Sequence, residues 1–217
     1  MSVRRAWLVP ALLVVLGVVP AVAGMARLAE LAGGAPITPA NARFMDAPLP
    51  VTLHILAVIP FSILGALQFA PALRRGGRRW HALAGRFLVA CGLVTALSGL
   101  WMTVAYPWPV GDGVALYLMR LAVGVAMTAS ILAALDAVRR RDFAAHGAWM
   151  TRAYALGMGA GTQVLTHLPW FILVGQTDVV SRAVLMGAGW ALNVWVAERV
   201  IRRSAARPAG RAALAQA

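Results

Sequence analysis

HGAWMTRAYALGMGAGTQVLTH, residues 146 to 167, decides how the chain is read. It reads as one long apolar helix, continued to about residue 173, with its polar residues gathered in a stripe. At about 100° per residue, Arg152, Gly159, Gln163 and His167 fall within about 80° of one another, so one face is turned toward partners and the rest suits lipid. The other apolar blocks then read as the housing of this face.

Composition agrees with a helical membrane protein. The chain is 61% hydrophobic and 12% charged, and its apolar residues come in long blocks separated by short polar breaks. Every one of the 20 basic residues is Arg, and the net charge is +13. A surplus of that size raises the question of nucleic acid. These arginines, however, cluster at the ends of apolar blocks, where they set topology and face anionic headgroups, so the lipid bilayer is the expected partner and no nucleic acid is. The single cysteine, Cys91, can build neither a disulfide framework nor a thiolate metal site.

Six spans are expected, at about 6–28, 50–73, 83–105, 113–137, 147–173 and 180–201. They form a single all-α polytopic domain over 1–203, a six-helix transmembrane bundle, followed by a basic flexible tail at 204–217. The first block, with Arg4 and Arg5 before it and Ala21-Val22-Ala23 within it, also resembles a secretory signal. Its apolar run continues to Leu28 and reaches spanning length, which favours an uncleaved helix. Residues 29–48 read as an ordinary polar loop. RRGGRR at 74–79 and RRRD at 139–142 are strongly basic, whereas YPWPVGD at 106–112 and VGQTDV at 174–179 carry no Arg. Every loop thus agrees with cytoplasmic termini in an inner, plasma membrane.

Depths follow from the rise of 1.5 Å per residue. His54 and His167 share a level roughly 10 Å outward of the midplane, and Arg120, with Gln163 and Tyr117 near it, lies roughly 7 Å outward. Arg86, Arg152 and Glu198 come out roughly 11 to 12 Å inward, with Asp136 a little further out. His81 and His146 stand at the inner interface, each near a Trp. Intramembrane charges usually face the bundle interior and pair, so each level is a candidate site. The inner level balances to zero and is equally well explained as an ion-pair network tying the last four spans together. Arg120 has no carboxylate expected at its level, which makes it the stronger functional candidate. His81 and His146 are as well explained as interfacial anchors.

RRGGRRWHALAGRFLV (74–89) and RRRDFAAHGAWMTRAYAL (139–156) share the order basic loop, aromatic, His and then Arg, which suggests that the second and third spans are a degenerate copy of the fourth and fifth. LHILAVIPFSILGALQFAPALRRGGRRWHALAGRF and HGAWMTRAYAL, with His-x-x-x-Gly-Arg and His-x-x-Trp-Met-x-Arg-x-Tyr-Ala, resemble the predicted bacterial membrane proteins called domain of unknown function 2306, over roughly residues 50 to 200. The resemblance implies an architecture and no assigned activity. It points to His54, His81, Gly85, Arg86, His146, Trp149 and Arg152. Where that family's pattern has His-Arg, this chain has His81-Ala82 and His146-Gly147.

Two chemistries fit four histidines and one intramembrane Arg. A b-type haem clamped by two histidines is one, with Gly157, Gly159 and Gly161 allowing close approach, and His54 with His167 the best pair. The layout is similar to the ascorbate-reducing di-haem membrane cytochromes, except that the fourth span offers Arg120, which cannot ligate iron. The other is a polar cavity of a transporter or small-ligand binder, using His54, His167, Arg120 and Gln163, with Pro60 and Pro169 as breaks in the helices around it. A subunit of a larger membrane complex or a homo-oligomer is a third class. Zinc lacks carboxylate or Cys ligands at His spacing. No phosphate loop, dinucleotide fingerprint or nucleophile elbow occurs, and the Gly157/Gly161 pair most simply means close helix packing.

Overall fold

The computed structural model describes the backbone of residues 3–70 and 78–214 and the side chains of 7–70 and 79–206. Its elements are α1 (Val3–Ala32), a short α2 (Ala42–Asp46), α3 (Pro48–Leu67), α4 (Arg78–Ala105), α5 (Val114–Arg139), α6 (Phe143–Gly157), α7 (Gly159–Leu173) and α8 (Val179–Leu214). Five of them, α1, α3, α4, α5 and α8, are long and apolar enough to cross a membrane. The protein is an all-helical, polytopic membrane protein. The Arg-rich loop expected at 74–79 lies, up to residue 77, outside the described residues.

Three boundaries differ from the sequence reading. The stretch after residue 203, expected as a flexible tail, continues α8 to Leu214; Ala and Arg, strong helix formers, make up most of it. The 29–48 stretch, expected as an ordinary polar loop, includes the end of α1 and all of α2. Asn41, only 2% exposed, accepts from the Thr38 amide at 2.6 Å and donates to the Pro36 carbonyl at 3.0 Å, so one side chain satisfies the backbone of a whole turn. The third difference matters most.

The helix expected at 147–173 is two helices of 15 residues, α6 and α7, joined at Met158. Three glycines in five residues, Gly157, Gly159 and Gly161, weaken helix propagation there. Neighbours then occupy the space those missing side chains leave. A Cβ on Gly159 would stand 2.1 Å from Trp190 Nε1, and one on Gly161 would stand 2.3 Å from the Leu16 carbonyl oxygen. That carbonyl is available because Pro20, four residues on, has no N–H to bond it. On the α6 side, the Asn193 amide donates to the Ala155 carbonyl at 3.0 Å, capping a turn next to the break.

Helices α3, α4, α5 and α6 pack around one another, with Phe61, Met127, Ile131, Ala153 and Tyr154 in their shared core. Small residues set the approach. The Tyr154 ring lies over Gly65 and its hydroxyl donates to the Ser62 carbonyl at 2.7 Å, while Phe61 and Ile131 crowd the face of Gly92. Helix α6 touches α3, α4, α5 and α8, so it is the central element. Helix α7 instead packs between α1 and α8. The chain's neighbours therefore change at Met158, from α3, α4, α5 and α8 on one side to α1 and α8 on the other.

Candidate functional site

Above the break lies a cavity of about 440 Å³. Its floor is Leu156, Gly157 and Met158; α1, α3, α4 and α5 form its walls together with the first turns of α7 and Trp190 of α8; and residues of α2 and of the 106–113 loop form its mouth. One end of the molecule thus carries the opening. We call it the Trp108 end, and the opposite one the Arg139 end. The mouth is organised by aromatic and ionic contacts: Trp108 stacks on Tyr117 with ring centroids 5.2 Å apart, and Phe44 meets Tyr106 edge-on at 5.6 Å. Arg27 and Arg43 both sit over the Phe44 ring, at 4.7 and 4.5 Å.

Asp112 holds the mouth together electrostatically. Its carboxylate, 2% exposed, accepts from Arg120 of α5 through one oxygen and from Arg182 of α8 at 2.7 Å through the other. Arg120 therefore has a carboxylate, contrary to the expectation from depth alone. The chain returns through a short loop whose last acidic residue falls beside the first turns of α5, and an axial estimate based on helix midpoints cannot register a partner in a loop. Arg43 adds a third guanidinium, and its Nε is buried with no hydrogen-bond partner among the described residues. Burial pulls the Arg43 guanidinium below its ordinary range; Asp112 opposes this, while Arg120, Arg27 and Arg182 add to it. Two guanidiniums thus bond one carboxylate at the rim, and a third stands near enough to feel its charge. The local surplus is positive.

Deeper in, His54 lines the cavity wall from α3. Its Nδ1 stands 3.0 Å from the Thr95 carbonyl and 3.1 Å from Ser98 Oγ on α4. Gln163 also lines the cavity and is anchored by donation to the Met186 carbonyl at 3.2 Å. His167 does not join them. It lies off the cavity on α7, with Nδ1 2.8 Å from the Gln163 carbonyl of its own helix. The shared level expected from the sequence does not bring them together: the helix of His167 packs on α1 and α8, whereas the partners of His54 are on α4.

The inner charges divide as well. Arg152 and Glu198 form a two-point ion pair at 2.6 and 3.1 Å, and Arg152 also lies over the Trp149 ring at 4.5 Å. Asp136 instead pairs with Arg140 one turn along its own helix, and Arg86 is exposed. The four-member network expected from depth is one inter-helix pair and two surface residues. His146, on α6, has Nδ1 2.9 Å from the Ala134 carbonyl of α5, and His81 is half-buried near the start of α4. Both stand at the Arg139 end. Sequence reasoning missed Asp112, Arg43, Arg182 and Thr95 as members of the site; a lone Asp in a loop otherwise free of charge was the available signal.

A family model described as predicted membrane protein (DUF2306) matches residues 51–201, and the chain belongs to that family. The match covers the cavity's His54, Thr95, Asp112, Arg120 and Gln163 as well as Arg152 and Glu198 at the opposite end. No curated protein and no solved structure matches the chain.

Proposed function

We propose that the protein is an inner-membrane binder or carrier of an amphipathic anion, which enters the cavity from the periplasmic side. The observation that carries this reading is the rim: Arg120 and Arg182 bond a single carboxylate, and Arg43 stands near enough to feel its charge, at the opening of an otherwise largely apolar chamber. Guanidinium forks match carboxylate and phosphate oxygens, and a low-dielectric wall strengthens that attraction while accommodating an apolar body. In this reading α6 and α7 together act as one interrupted crossing, the sixth. Interrupted helices at a cavity are a recurring way of building a substrate site inside a bilayer. The α3–α4 and α5–α6 pairs act as the two degenerate repeats around it.

Orientation is part of the proposal. Arginines crowd the Arg139 end, which we take as cytoplasmic together with both termini. Reporter fusions after residues 77, 110, 141 and 176 should read in, out, in, out. Separation of His54 from His167 favours the binder over the haem alternative, whose best ligand pair it removes.

Binding is tested with the full chain in nanodiscs and a brominated medium-chain carboxylate. Trp108 and Trp190 both line the cavity, so bromine held inside it should quench their fluorescence in a saturable way. The double variant Arg43→Gln/Arg120→Gln should lose saturable quenching at the same probe concentrations. Quenching that is linear in probe, and equal in the two proteins, would show partition into lipid and overturn the reading.

A further inference from the structure

The rim explains an anion but not the polar groups farther down. The position of the His54 proton follows from its neighbours. Nδ1 faces a carbonyl, Thr95 O, at 3.0 Å, which can only accept. Its second neighbour, Ser98 Oγ, spends its own hydrogen on the Val94 carbonyl and so also accepts. The neutral imidazole therefore carries its proton on Nδ1, and Nε2 is a bare acceptor. Among the described residues Nε2 has no hydrogen-bond partner, and His54 lines the cavity.

A second unpartnered group stands beside it. Thr95 lines the cavity beside His54, is 4% exposed, and its hydroxyl has no hydrogen-bond partner among the described residues. A helical Thr ordinarily returns its hydroxyl to a carbonyl one turn back, as Thr103 does to Gly99 at 2.7 Å on the same helix. Thr95 does not. An unsatisfied buried hydroxyl is costly, but the Thr95 oxygen is closed off behind the cavity wall, so the unpartnered group of this wall that remains for a ligand is His54 Nε2.

We infer that the anion bound by this cavity also carries a hydrogen-bond donor, such as a hydroxyl, which binds His54 Nε2. The inference rests on the anion-binding reading above. The ligand is then a hydroxylated amphipathic anion: its charge sits at Arg43 and Arg120, its body crosses the apolar wall, and its donor reaches the wall between α3 and α4. A carbonyl at that point would meet the bare lone pair of Nε2 and gain nothing.

Three matched series of probes separate the possibilities: medium-chain ω-hydroxycarboxylates, the corresponding ω-oxocarboxylates and the unsubstituted carboxylates, each over a range of chain lengths. They compete against the brominated carboxylate in nanodiscs, with partition corrected by empty discs. At the best chain length the hydroxylated probe should bind about tenfold tighter than the unsubstituted one, and the oxo probe no tighter. In His54→Leu the ratio should collapse toward one, whereas in Thr95→Val, which removes a hydroxyl closed off from the cavity, it should persist. Equal binding of all three by the unaltered protein overturns the donor inference alone, without needing any variant to fold. So does a hydroxyl preference that survives in His54→Leu. If none of the three competes, the anion reading itself fails.

Discussion

Replacing Asp112 with Asn should lower stability and raise anion affinity together, an opposed pair of effects that few other substitutions would produce. The Asp112 carboxylate is 2% exposed and bonded to two guanidiniums that are 27% and 31% exposed. Removing one partner of a fully buried pair costs about 3 to 5 kcal/mol. Here the stranded arginines can be hydrated through the cavity and Asn still accepts one hydrogen bond, so about 2 kcal/mol is expected, a fall in denaturation midpoint on the order of 5 °C. The affinity term has the other sign. A carboxylate probe bound about 10 Å from Asp112 is repelled by about 1.5 kcal/mol at an effective dielectric constant near 20, so its removal should tighten binding about tenfold. Thermal denaturation in detergent and the bromine-quenching titration read the two quantities on one preparation. Moderate concentrations of the carboxylate probe should also recover part of the lost stability, because a bound anion replaces the missing charge. Unchanged stability with unchanged affinity would refute the assignment of Asp112 as the counter-charge of the rim; a fall in both would mean that it acts by holding the loop's shape.

Gly161→Ala places a Cβ 2.3 Å from the Leu16 backbone oxygen, which cannot move as a side-chain end would. About 1 to 3 kcal/mol of overpacking, less up to about 1 kcal/mol of gained helix propensity, should leave the variant less stable in detergent, whereas Gly85→Ala, with nothing within 4 Å, should be neutral or better. Glu198→Gln should cost only about 1 kcal/mol, since Arg152 and Glu198 are each about one-third exposed, and Arg86→Gln should lie within about 0.5 kcal/mol of the parent. Equal, large losses for both would restore the four-member network. Protein from cells supplied with haem precursor should show no Soret band that depends on His54 and His167 together; a reducible band lost in both His54→Ala and His167→Ala would reinstate that pair as iron ligands.

Periodicity and charge made the membrane class and most helix bounds legible, because apolar length and the placement of arginines are properties of the chain in order along one axis. What they could not register was lateral position. His54 and His167 share a depth yet point into different parts of the molecule, and Arg86, Arg152, Asp136 and Glu198 share another yet make one inter-helix pair between them. Asp112 was invisible for the complementary reason: it lies in a loop, where a rise per residue assigns no depth, although its fold position is fixed by two arginines on different helices.

The break at Met158 links these failures to the function. GMGAG was legible as a packing motif, and Gly157 and Gly161 do admit Phe61 and the Leu16 carbonyl. A continuous helix through that motif would have kept α7 on the axis of α6, filling the bundle with Gln163 and His167 at the centre. Instead three local events act together: weak helix propagation at the glycines, a carbonyl freed by Pro20 on α1, and an Asn193 amide that caps Ala155. Each favours the packing of α7 on α1 and α8, and the cavity that Arg43, Arg120, His54 and Thr95 border lies at this break, with Ala160, Gly161 and Gln163 of α7 in its lining. The polar stripe of the 146–167 stretch is therefore split by the break, with Arg152 committed to Glu198 on one side of it and Gln163 to the cavity wall on the other.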